Sequence, residues 1–359
     1  MRTKVFISDE GFGPIVRQSA IIDELLKMMP KLNVELQLYN HFEEAKHIIP
    51  GISYKRKFNN IIWHKKSDGS PDMKAIQDYF SGYTKLSDIY INDELKDEPP
   101  NFIISDFVCE AFEIAKQQNI PSFGVSHFTW DWFFSKMYPT PLTTSLLNRF
   151  MAQATMADML FFPPFTPKEI IHHYRDKVVE VPFIVRKQRP EPIEIHDGKP
   201  NILIMDSGSA VNKLAMIKIA DKLTDLTDYH FYLPHGLTLE GENITHLPKN
   251  KLLVDYIGSM DLVISRAGFN TITECIAYRT PMLLFGEAQN AEMQENNFFV
   301  KEQGLGSFTS LDSLQMNPGR VIGDYFEGEY TVLKRNMMQH DIMVNGAEIV
   351  AERIMDMVL

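Results

Sequence analysis

The chain's 359 residues carry 36 lysines and arginines against 47 aspartates and glutamates, giving a net charge of −11, with 44% apolar and 23% charged residues. A single core rarely grows past about 250–300 residues, so two domains are expected. The acidity argues against a general nucleic-acid binder, which needs a basic face to displace counterions. The two cysteines, Cys109 and Cys275, sit in apolar contexts, build no disulfide framework or Cys-based zinc site, and fit a reducing compartment.

The opening MRTKVFIS is basic, but Asp9 and Glu10 stop its apolar run well short of a signal peptide. No stretch reaches the ~20 apolar residues of a membrane helix. A cytoplasmic chain is expected. Lys4–Ser8 reads as a strand, followed by a glycine-bearing loop and a helix with Ile15, Ile21, Ile22, Leu25 and Leu26 on one face. Val34–Leu38 and Phe102–Ser105 are strands, Cys109–Gln117 a helix, and Ser122–Ser126 a strand. Strands alternating with helices predict βαβ units and a parallel sheet.

The alternation stops at VPFIVRKQRPEPIEIHDGKP, which has four prolines and no helical period. The expected division is an N-terminal domain over 1–183, a linker over 184–199 and a second domain over 200–340. The terminal segment 341–359 is read as a helix, with packing back on the N-terminal domain as one placement. In the second domain, strands are expected at Asn201–Met205, Tyr229–Leu233, Leu262–Ser265 and Pro281–Phe285. The predicted fold class is α/β, two doubly wound Rossmann-like domains facing a cleft, with ligands at the carboxyl ends of the strands.

Two loops carry the chemistry of the second domain. Ser207-Gly208-Ser209 joins a strand to a helix start, where unpaired N–H groups and the helix dipole favour an anion. A plain turn with Ser209 as N-cap explains the same residues. The second loop, Ser265-Arg266-Ala267-Gly268-Phe269-Asn270-Thr271, leads into a helix that carries Glu274. Gly268 admits close backbone approach. Glu274 can accept two hydrogen bonds from a sugar diol, or be an ordinary solvated helix glutamate.

The pattern S-R-A-G-x-x-T-x-x-E, then the strand TPMLLF, then Gln294 to Asn297, resembles the donor half of metal-independent GT-B glycosyltransferases. It is most similar to the peptidoglycan UDP-N-acetylglucosaminyltransferase, a family 28-like enzyme. The likeness is strong over about 150 residues, from Asn201 to Gly306 and again in the terminal NGAEIVAERI helix. It implies an inverting hexosyltransferase that takes its sugar from a UDP-sugar co-substrate, with no further cofactor. By the same resemblance Ser207, Gly208 and Ser209 border the cleft, and Leu247 lies where backbone pairs with uracil. Gly268, Asn270 and Thr271 cradle the diphosphate, Glu274 holds the ribose hydroxyls, and Gln294 and Asn297 contact the sugar. No D-x-D triplet occurs, so no obligatory metal is expected.

Gly11-Phe12-Gly13-Pro14-Ile15-Val16-Arg17 resembles the G-x-G-H-x-x-R opening of this superfamily, with Pro14 in place of the histidine that often acts as base. Proline suits a first helical position but cannot move a proton. Asp106 closes one strand and His127 the next, followed by Phe128-Thr129-Trp130-Asp131, a run that resembles the glycosyltransferase-like N-terminal regions of sugar kinases. The expectation is that His127, paired with Asp106 or Asp131, deprotonates the acceptor; the alternative is a histidine that only bonds a loop. Asp9 and Glu10 are back-up bases.

From Lys46 to Lys66 there are six basic residues and no acidic one, interleaved with aromatics. This stretch could seat the chain at the inner membrane face or be a solvated loop. The five aromatics from Phe128 to Phe134 suit a sugar acceptor or a packed core. Two other functions stay open: hydrolysis or epimerisation of the nucleotide sugar on the same fold, and a non-catalytic nucleotide-sugar-binding subunit. No G-x-G-x-x-G follows either first strand, which counts against a Rossmann dehydrogenase.

Overall fold

The computed structural model describes all residues except 9–10, 58–65, 67–71, 139–140, 188–197, 206–216, 218, 220, 235–238, 249–253 and 286–289, together with the side chains of 141–142. The chain divides into two compact units: Met1–Ile184 with Met343–Leu359, and Val185–Ile342.

In the first unit the order is β1 (Arg2–Ile7), α1 (Gly13–Met28), β2 (Asn33–Leu38), α2 (Phe42–Ile48), β3 (Ser53–Arg56), α3 (Met73–Glu94), β4 (Phe102–Asp106), α4 (Glu110–Gln118), β5 (Ser122–Val125), α5 (Trp130–Met137), α6 (Pro141–Ala154), β6 (Met159–Phe162), α7 (Lys168–His173) and β7 (Val178–Glu180). The second unit has β8 (Asn201–Ile204), β9 (His230–Leu233), β10 (Ile244–His246), α8 (Val254–Ile257), β11 (Leu262–Arg266), α9 (Phe269–Ala277), β12 (Met282–Phe285), α10 (Ala291–Glu302), β13 (Ser307–Thr309), α11 (Leu311–Met316), α12 (Pro318–Gly328) and α13 (Tyr330–Gln339). The last helix, α14 (Gly346–Val358), belongs to the first unit.

Each unit is built on one parallel sheet, ordered β3-β2-β1-β4-β5-β6-β7 in the first and β10-β9-β8-β11-β12-β13 in the second. The central strands β1, β4, β8 and β11 are buried along almost their whole length, with apolar runs at their centres, because both faces are covered. In the second unit Ile202, Ile204, Phe231, Leu233, Leu262 and Ile264 pack against Ile322, Tyr325 and Leu333 from the helices. In both sheets the strand order reverses beside the first strand, at β1/β4 and at β8/β11. Parallel α/β sheets bind ligands at the carboxyl ends of strands at such a switch point. β4 delivers Asp106 there in the first unit; β11 leads into Gly268 in the second.

α14 packs on α1. Its first residue, Gly346, donates its N–H to the Phe183 carbonyl at 3.0 Å, and Phe183 donates to the Met343 carbonyl at 3.2 Å. A Cβ on Gly346 would drive into the backbone carbonyl of Pro182, which cannot rotate away. Gly346→Ala is therefore expected to lower unfolding free energy by about 1–3 kcal/mol, the usual cost of overpacking. Urea denaturation checks this, and an unchanged midpoint would contradict the packing described.

Candidate functional site

β11 hands the chain to α9 through Ala267 and Gly268. Ala267 donates its N–H to the Phe285 carbonyl at 3.0 Å and accepts from Asn296 Nδ2 at 2.9 Å, which fixes the turn from two sides. Gly268 is the N-cap of α9, in extended backbone, with no side chain to cap the helix. Asp72, Asn290, Ser310 and Asn317 each accept a first-turn N–H of their helices, whereas α9, like α1, α2, α4, α5, α7, α13 and α14, has no side-chain cap. A Cβ at Gly268 would meet no atom of the described residues within 4 Å. The mouth carries the partial positive charge of the helix end. Asn270 and Thr271 lie in the first turn.

Glu274 follows on the same helix and is only 5% exposed. Burial pushes its carboxyl up to about 8; the Arg186 guanidinium opposes that rise and Asp255 adds to it. Arg186 bonds Asp255 at 2.8 Å, both nearly buried, and keeps Nε and Nη1 without acceptors. No donor among the described residues bonds the Glu274 carboxyl. A solvated surface glutamate is thus not what α9 carries.

The α10 residues divide by helical face. Gln294 is exposed, Asn297 is half-buried with an unbonded Oδ1, and Asn296, which the sequence reading passed over, is the residue that holds Ala267. Leu247 is buried and donates its N–H to the Leu233 carbonyl at 2.8 Å. That leaves the Leu247 carbonyl as the group a base edge could meet. Ser207, Gly208 and Ser209 lie outside the described residues, as do Asp9 and Glu10.

In the first unit, α1 opens with Pro14 in its first turn and aims Arg17 at the end of β4. Arg17 donates through Nε and Nη2 to the two carboxylate oxygens of Asp106, at 2.8 and 2.6 Å, and Gln18 Nε2 adds a third bond at 3.1 Å. Arg17 Nη1 lies 3.2 Å from His127 Nδ1. All four side chains are buried. Of the two carboxylates expected beside His127, Asp106 accepts from Arg17 and Gln18, and Asp131, in the first turn of α5, accepts from Tyr174 at 3.0 Å. Burial raises the Asp131 carboxyl above its ordinary range. The physical reason is that an ion pair with a fork-shaped guanidinium satisfies a buried carboxylate better than one imidazole N–H. Arg17 stands in the quoted opening motif but was given no role from sequence.

The aromatic run is core. Trp130, Trp132, Phe133 and Phe134 are buried, and Phe128 packs edge-on to Trp130 at 5.1 Å. The basic stretch is largely answered within its own unit. Lys46 pairs with Glu43 at 2.8 Å, Lys55 with Glu94 and Asp97 at 2.6 Å each, and Arg56 lies over the Phe42 ring at 4.9 Å. Lys65 lies outside the described residues. No helix among the described residues is long and apolar enough to cross a membrane.

Residues 227–318 match the model of the glycosyltransferase family 28 C-terminal domain. An uncharacterized glycosyltransferase of Methanosarcina mazei is 22% identical over 333 residues, covering 87% of this chain and 86% of the relative. The UDP-N-acetylglucosamine–N-acetylmuramyl-(pentapeptide) pyrophosphoryl-undecaprenol N-acetylglucosamine transferase of Thermosipho africanus is 33% identical over 117 residues, which is 31% of this chain and 34% of that one. Among solved structures, the glycosyltransferase SsfS6 of Streptomyces sp. SF2575, complexed with thymidine diphosphate, superimposes with a TM-score of 0.62 at 14% identity, covering 99% of both chains. Two parallel Rossmann-like sheets, a family 28 domain that contains the α9 mouth and glycosyltransferase relatives along most of its length make this chain a glycosyltransferase of the GT-B fold.

Proposed function

We propose that the chain transfers a sugar from a UDP-sugar to a hydroxyl acceptor, with inversion at the anomeric carbon and without a metal ion. One observation carries the reading: α9 starts at Gly268 without a side-chain cap and carries a buried carboxyl, Glu274, that no donor among the described residues bonds. A diphosphate at residues 268–271 would meet the backbone N–H groups and the dipole of α9. Glu274 would then accept the ribose hydroxyls, and the Leu247 carbonyl would meet the base. The nucleotides named for SsfS6 and the Thermosipho enzyme support a nucleoside-diphosphate donor. Gln294 and Asn297 lie on α10 and would face the sugar. Charge on the leaving diphosphate would be met by donors already in place, which is how such sites lower a barrier. The absence of a D-x-D triplet supports metal independence. The paired lysines of 46–57 give no support to a membrane seat.

The test is a thermal-shift series with UDP, GDP, dTDP and CMP, with and without EDTA. A ligand bound only to the folded form adds RT ln(1 + [L]/Kd), about 2.7 kcal/mol at 100 Kd. UDP is expected to give the largest rise, unchanged by EDTA. A larger rise with another base, or a rise that EDTA abolishes, would overturn the reading as stated.

A further inference from the structure

Arg186 is gripped by two helices of the second unit. Its guanidinium donates through Nη2 to Asp255 Oδ1 at 2.8 Å, and Asp255 lies on α8. Its backbone carbonyl accepts from the Tyr278 hydroxyl at 2.5 Å, and Tyr278 closes α9, four residues after Glu274. Residues four apart on a helix stand one above the other on one face. Arg186 is therefore held beside the face of α9 that carries Glu274, and α8 packs on that helix. Arg186, Asp255 and Glu274 are 3%, 7% and 5% exposed. Charging all three leaves one negative charge unpaired away from water, which is costly. Asp255 is the stronger acid and holds the direct bond. Arg186 keeps Nε and Nη1 without acceptors among the described residues. The charged groups acting on the Glu274 carboxyl are Arg186, which favours its ionised form, and Asp255, which opposes it. Cys275, next along α9, is a thiol that burial keeps neutral.

We propose that Asp255 is a positioning residue of the second unit: by holding Arg186 on α8 it denies that guanidinium to Glu274 and keeps the Glu274 carboxyl unbonded for a ligand's hydroxyls. The proposal rests on the reading above, in which those hydroxyls are the ribose diol of UDP. A carboxylate already paired with the guanidinium would have to give up that ion pair before it could bond a diol, and a pair of this kind is the stronger interaction. A neutral, unbonded acid gives a proton to the buffer instead and gains two hydroxyl donors. Asp255 touches no ligand atom and acts through Arg186. Asp255→Asn keeps the shape of the side chain and removes its charge. Arg186 is then expected to turn its unpaired Nε and Nη1 to Glu274, which ionises and is occupied before any ligand arrives.

The test uses the full-length chain labelled with ¹³C at its glutamate carboxyls and followed by NMR across pH, with Glu274 assigned by the signal lost in Glu274→Gln. In wild type the Glu274 signal is expected to titrate with a midpoint of about 8. In Asp255→Asn the midpoint is expected to fall by about two pH units, the effect of an opposite charge brought into contact. A midpoint that stays in place overturns the proposal, and so does a wild-type Glu274 already ionised at about pH 6. A loss of packing alone would not move this titration downward. If Asp255→Asn does not fold, the wild-type titration still decides. UDP titrated into both proteins then reads the consequence. Asp255→Asn is expected to bind about tenfold more weakly, and equal affinity overturns the positioning role. Absence of UDP binding by both proteins bears on the nucleotide and leaves the carboxyl titration to decide what Asp255 does to Glu274.

Discussion

Gly268→Asp is expected to abolish stabilisation by UDP while leaving the free protein as stable as before, or slightly more so. Position 268 is the N-cap of α9, in extended backbone that any residue adopts, and a Cβ there meets no atom of the described residues within 4 Å. Aspartate is among the best N-caps and exceeds glycine by a few tenths of a kcal/mol. Its carboxylate accepts from the same first-turn N–H groups assigned to the diphosphate, and its charge repels that diphosphate across a short distance. Stability and binding are thus driven in opposite directions by one substitution, which a general folding defect cannot imitate. At 100 Kd of UDP the wild-type chain is expected to gain about 5 °C or more in Tm. Gly268→Asp is expected to gain none, and a wild-type gain in the variant would contradict the site.

Glu274→Gln is expected to stabilise the free protein at pH 8–9 and to weaken UDP binding. Burial raises the folded-state carboxyl from 4.5 to about 8, so between those values the folded chain binds a proton that the unfolded chain has lost. Stability therefore falls as pH rises from 4.5 through about 8 and levels off beyond. At about 1.4 kcal/mol per unit the full loss is several kcal/mol, on the order of 5 at most. Glutamine does not ionise and escapes it. The two proteins are expected to converge below pH 4.5 and to differ most above pH 8, as read by urea denaturation across pH. Parallel curves would show that Glu274 is not held neutral. UDP affinity of the variant is expected to drop about 10- to 100-fold, the range for losing a hydrogen bond to a charged group. Binding by the wild type would release a proton near pH 7, because ribose donors favour the ionised carboxyl.

Both stability and binding at Glu274 therefore depend on burial, which is where the sequence was least informative. The strands KVFIS, NFIIS, NILIM and TPMLLF were legible because parallel strands covered on both faces are unbroken apolar runs. The shorter β3, with the polar run SYKR, and the three-residue β7, β10 and β13 carry no such signal. The glycine turn before α9 was legible from S-R-A-G alone. That Asn296 and not Asn297 holds this turn was not, because adjacent residues on a helix face differ by only 100° and the sequence does not say which face is inward. The Arg17–Asp106 ion pair joins residues 89 apart in sequence, and the Arg186–Asp255 pair joins residues 69 apart. The first follows from the pairing of β1 with β4 and the second from the packing of residue 186 against α8, neither of which the local pattern states. Pro14 marked the start of α1. Where the polar centre went was set by the β1–β4 pairing.

The most direct measurement is a crystal structure of the protein soaked with UDP. The account predicts the diphosphate within hydrogen-bond distance of the backbone N–H groups of residues 269–271, and both ribose hydroxyls on the Glu274 carboxylate. UDP bound at another place, or bound at α9 with Glu274 making no contact with the ribose, would contradict it.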